Sequence, residues 1–153
     1  MEPSPIKRVK ELVTLSHDHH HGLMLCWKIR TGLSRKVELE RIVKYCRWFY
    51  QNHLVPHFKI EEDVAFPVLG NEHPHIIEAL RQHRHLESLF TNPSPTADTL
   101  KEAQLALNDH IRFEERIVFS EIQENASRQQ LKAIEAAHAE GAFEENNEDV
   151  FWK

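Results

Sequence analysis

The chain has 153 residues, enough for one domain with a substantial core, and its formal net charge of −5, with no basic stripe to offset it, argues against a nucleic-acid binder. Its two cysteines, Cys26 and Cys46, stand in apolar helical contexts, which disfavours a disulfide scaffold and makes a reducing cytoplasm the expected setting. No segment reads as a membrane span or a signal peptide, and one count stands out: 12 histidines against 4 glycines.

Apolar residues recur at a helical period nearly throughout, which predicts an all-α chain. The first helix is expected from near Pro5 to about Leu33, with Leu12, Leu15, Leu23, Cys26 and Trp27 on its inner side. It carries the run Ser16-His17-Asp18-His19-His20-His21-Gly22-Leu23. The second is expected from about Val37 to Leu69, with a kink or break at Pro56, because proline lacks the backbone donor and clashes with the preceding turn. Pro74 fits the first turn of a third helix reaching to about Phe90.

After the break Thr91-Asn92-Pro93-Ser94-Pro95-Thr96, a fourth helix is expected from about Ala97 to Asn125. Ser127 and Gln130 form a capping box for a short extra helix, about Arg128 to His138. Residues 1–139 are expected as one helical domain. Residues 140–153 are expected as an acidic tail, mobile unless Phe151 and Trp152 dock on the bundle.

One stretch of the second helix returns in the fourth. His57-Phe58-Lys59-Ile60-Glu61-Glu62-Asp63-Val64-Ala65-Phe66 is matched by His110-Ile111-Arg112-Phe113-Glu114-Glu115-Arg116-Ile117-Val118-Phe119. Residues four apart share a helix face, so each copy presents an imidazole and a carboxylate in one direction. Two such pairs facing each other across a bundle suit a pair of transition metal ions.

A solvated pair of i,i+4 contacts is the bland reading of either copy alone; the duplication and its apolar flanks favour ligation. The third helix offers His83, on the face of Leu80, Leu86 and Phe90. In the first helix His20 repeats the His-x2-Leu relation of His83, while His19 shares a face with Leu15 and Leu23. His20 is preferred, with His19 or His17 as the alternative. Glu62 and Glu115 are expected to face outward or to pair with basic neighbours such as Arg116. His73-Pro74-His75 has too few partners in sequence for a metal site.

The order of His20, His57-x3-Glu61, His83 and His110-x3-Glu114, with the flanks Pro56-His57-Phe58 and Phe66-Pro67, resembles the hemerythrin-like family, or HHE cation-binding domain. The resemblance spans about Lys10 to Asn125. It implies an up-down-up-down four-helix bundle around a non-haem di-iron centre. It also implies dioxygen binding or sensing, iron handling, or a related redox role.

On that reading Glu61 and Glu114 bridge two Fe ions, His57 and His110 serve opposite metals, and His20 and His83 complete the set. Mn or Zn is the alternative metal. A di-metal oxidoreductase acting on peroxide or nitric oxide is the rival function, and a bundle whose metal site has lapsed is a second. Respiratory hemerythrins carry a His-x3-His pair on the third helix, whereas here Glu87 follows His83 by four. That carboxylate either points at the metal or turns aside to Arg84 or Arg81.

Overall fold

Scarce glycine, with prolines mostly at the ends of apolar-periodic runs, leaves this backbone few alternatives to helix. The computed structural model describes residues 7–138 and 143–153, and among them there is no strand. Helix α1 is Lys10–Ser34. Helix α2 covers residues 39–68, α3 is Pro74–Phe90, α4 covers residues 97–125 and α5 is Arg128–Ala137. Three short connections reverse the chain between α1 and α4, so successive helices run antiparallel and form a four-helix bundle. Gly70, at φ 90°, makes the turn from α2 into α3, a conformation that a side chain would strain. The short α5 lies against α1 and against α2 near Glu61–Ala65.

Helix α1 begins at Lys10, after extended backbone at Val9; the expected start near Pro5 lies outside the described residues. Its inner stripe is Leu12, Leu15, His19, Gly22, Cys26 and Ile29. Leu23 and Trp27, expected inside, are instead 38% and 42% exposed. Each follows an inner residue directly, and one residue turns a helix by about 100°. Gly22 is there for close packing: a Cβ on it would lie 2.8 Å from Ile111 Cδ1 of α4.

Pro56 does not break α2. The α-helix Leu39–Phe49 passes into a π-helical turn, Tyr50–Leu54, just before the proline, and α-helix resumes at Val55–Ile60. The wider turn accommodates a ring that would clash in a regular one. Two further π turns, Glu61–Ala65 in α2 and Glu114–Val118 in α4, start at the equivalent glutamates of the duplicated motif. The duplication thus extends to the backbone.

The buried residues form two apolar clusters. One holds Leu25, Cys26, Phe49, Phe58, Leu86, Phe90, Leu107 and Phe151 among others; the second holds Leu12, Leu15, Phe66, Ile76, Val118, Phe119, Ile122 and Ile134. Between them each long helix places ionisable residues: His19 on α1, His57 and Glu61 on α2, His83 on α3, His110 and Glu114 on α4. The tail segment from Phe143 is docked rather than free. Phe151 is 3% exposed, Glu145 meets Lys28 and Tyr45, and Asp149 pairs with Arg41. The boundary expected at residues 139 and 140 lies outside the described residues.

Candidate metal centre

Six ionisable side chains occupy the layer between the apolar clusters, and Glu61, His83 and Glu114 have no exposed surface at all. Burying that many charges is costly unless each is paired or bound to a metal. Their donor atoms fall into two groups of four, His19, His57, Glu61 and Glu114, and Glu61, His83, His110 and Glu114. Both glutamates belong to both groups, which is the arrangement of two metal positions bridged by two carboxylates.

All four imidazoles turn Nε2 inward. His19 Nε2 lies 2.8 Å from Glu114 Oε1 and 3.2 Å from His57 Nε2. His57 Nε2 is 3.3 Å and His83 Nε2 3.1 Å from Glu61 Oε1, and His110 Nε2 is 3.3 Å from Glu114 Oε2. Yet among the described residues Glu61 Oε1 and Oε2, His83 Nε2, His110 Nε2 and Glu114 Oε2 find no hydrogen-bond partner despite full burial. They sit close together without the angles of hydrogen bonds, as lone pairs do when they converge on a shared point. Donors about 3 Å apart suit bonds of about 2.0–2.2 Å to one ion. These orphaned atoms fit a metal pair.

Outside this ring, each Nδ1 has its own partner. Glu115 holds His19 at 2.6 Å, Asp18 holds His57 at 2.9 Å, Glu62 holds His83 at 2.7 Å and Gln82 holds His110 at 2.7 Å. An acceptor at Nδ1 places the proton there and leaves the Nε2 lone pair for a metal. The pattern is two-fold. The glutamate after each bridging residue reaches the histidine of the other half, and the residue before each histidine of α1 and α3 holds the histidine of an HxxxE pair. Phe119 stacks on His19 and Phe66 on His83, with ring centres 5.0 and 5.4 Å apart.

Electrostatics follow from the packing. Burial would lower His57, but the Glu61 charge and the Asp18 hydrogen bond outweigh it and hold it up at about 10. For His19 and His83 burial also opposes the proton, but the carboxylates outweigh it and raise both above the usual histidine range. Glu114 and Glu115 accept from His19, while Glu114 and Glu61 lie beside His83 with Glu62 at its Nδ1. Burial would raise Glu114, yet the His110 charge and the surrounding hydrogen bonds hold it well below the usual carboxylate range.

The structure therefore brings together His57, Glu61, His83, His110 and Glu114. It does not bring in His20, which is exposed; His19 takes the α1 position. Glu87 is exposed and lies 3.4 Å from Arg84, away from the centre. Glu62 and Glu115 do pair with basic residues, Arg84 and Arg8, but they also brace His83 and His19, a role not expected from the sequence. The doubled glutamate of each motif copy was the signal for them.

Beside the His19 and His57 side lies a cavity of about 20 Å³ walled by Phe49, Leu54, Phe58, Leu107, Ile111 and Phe143 with His53 at its edge. That is room for about one water-sized molecule. The chain matches no curated protein and no solved structure. The sequence model described as the hemerythrin HHE cation binding domain matches residues 10–122, which includes every residue of the two donor groups and their four braces. The chain belongs to the hemerythrin HHE cation-binding domain family.

Proposed function

We propose that this chain is a non-haem di-iron protein that binds or senses dioxygen or a related small ligand, or handles iron, with His19, His57, Glu61, His83, His110 and Glu114 as the ligands. The observation that carries this reading is the pair of four-donor groups sharing Glu61 and Glu114. Iron held there would supply redox chemistry and coordination positions beyond the six protein ligands. The chain's own residues do the rest. Glu115, Asp18, Glu62 and Gln82 orient the imidazoles, and Phe49, Leu54, Phe58 and Leu107 wall the small cavity beside His19 and His57.

The cavity of about 20 Å³ has room for a molecule of a few atoms, which fits dioxygen. Peroxide and nitric oxide are of the same size, so the cavity also supports the oxidoreductase reading. The test is optical spectroscopy of anaerobically reconstituted protein as oxygen is admitted, beside turnover assays with peroxide and nitric oxide. Oxygen-dependent absorption bands without turnover support binding or sensing; turnover supports the oxidoreductase. Absence of both leaves iron handling alone, and failure of the reconstituted chain to hold iron contradicts the proposal.

A further inference from the structure

His73, His75 and Glu121 form a third group of metal-type donors, on the surface and outside the buried centre. His73 caps the start of α3, and Pro74 with its fixed φ sets His75 two residues on. Glu121 comes from the last segment of α4, 46 residues beyond His75. His73 Nε2 lies 3.0 Å from Glu121 Oε2, and His75 Nδ1 lies 2.5 Å from Glu121 Oε1. One donor atom from each of the three falls within 4.8 Å of the others. The side chains are 26–41% exposed, so a further position opens to solvent.

Zinc bound by imidazole and carboxylate at about 2.0–2.2 Å needs donors spaced by about 3.3 Å in a tetrahedral site. The two N–O pairs reach that spacing by parting less than about 1 Å, within the reach of half-exposed side chains. Two imidazole nitrogens and one carboxylate oxygen suit a zinc- or copper-type ion better than magnesium or calcium.

We infer that His73, His75 and Glu121 form a second metal site, separate from the buried centre, for a divalent cation of the Zn²⁺ or Cu²⁺ type. The ion ties the start of α3 to the last segment of α4. Without it Glu121 hydrogen-bonds His75 and lies 3.0 Å from His73 Nε2, and His73 Nδ1 accepts the His75 backbone N–H at 3.1 Å. Binding at His73 Nε2 displaces the proton there and moves it to Nδ1, so the cap bond to the His75 amide opens to water. These contacts alone give no such change.

The test loads the chain to saturation with Zn²⁺ and counts zinc per chain for the unmodified protein, His75→Ala, Glu121→Gln and His20→Ala. His20→Ala controls for the exposed histidines of α1. Amide exchange at His75 is followed in the unmodified protein with and without zinc. The expected result is one zinc fewer, or the last zinc bound at least tenfold more weakly, in His75→Ala and Glu121→Gln. His20→Ala keeps the full count, and the His75 amide loses protection when zinc is added. An unchanged count in both site variants, a loss confined to His20→Ala, or a His75 amide still protected at saturating zinc would overturn the inference. Only differences between chains loaded alike are compared, so iron occupancy of the buried centre does not enter the result.

Discussion

At His19 both ring nitrogens are engaged, Nδ1 by Glu115 and Nε2 by Glu114 and His57, whereas the neighbouring His20 ring stands in solvent. His19→Ala should therefore lower metal occupancy by at least half, and His20→Ala should leave it unchanged; metal analysis of the two variants decides. The register was hard to read because Gly22 occupies, after His19, the place that Leu86 occupies after His83. Ile111 fills the space where a side chain would go. The polar residue before each inner histidine, Asp18 and Gln82, was the better guide.

His57 gives a pH prediction. Its folded value of about 10 lies above the ordinary 6.5, so its charge stabilises the metal-free fold fully below 6.5, and that contribution is lost as pH rises through 10. Thermal melts of metal-free protein should fall over this window, while metal uptake improves because fewer protons must be displaced. Melting temperatures that rise between those limits would contradict the assignment.

Among the elements, the spans of α3 and α4 follow from local chemistry. Pro74 fits a first turn, and Thr96 and Thr99 form a reciprocal cap at the start of α4. Pro56 leaves α2 unbroken, and the local rule marks the place of the irregularity without giving its form, the π turn Tyr50–Leu54 just before the proline. The tail, expected to be mobile unless Phe151 and Trp152 dock, is held by a face far away in sequence. Phe151 docks against the face where a Cβ on Gly32 would lie 2.8 Å from its ring, 119 residues away in sequence. Phe151→Ala should destabilise the fold by about 3 kcal/mol, the usual loss for a buried phenylalanine. It should also raise amide exchange around Glu145 and Asp149. Equilibrium denaturation checks the first effect, and an unchanged midpoint would show that the docked tail adds nothing.

Across the molecule, two apolar clusters hold a layer of ionisable residues that hydrogen bonding alone leaves unsatisfied, and metal binding is what makes such a layer affordable. The duplicated HxxxE motif made four of the six inner residues legible in sequence, and the apolar face of α3 made His83 the fifth, because the helical period aims them inward. Their four braces were less legible, since each reaches across to another helix. The central claim is that two metal ions share Glu61 and Glu114. The most direct measurement is the metal-to-protein ratio of the chain reconstituted anaerobically with ferrous iron, beside the isosteric double variant Glu61→Gln/Glu114→Gln. The account predicts about two irons per chain, with both lost in the variant. A ratio near zero in the unmodified chain, or two irons retained in the variant, would contradict it.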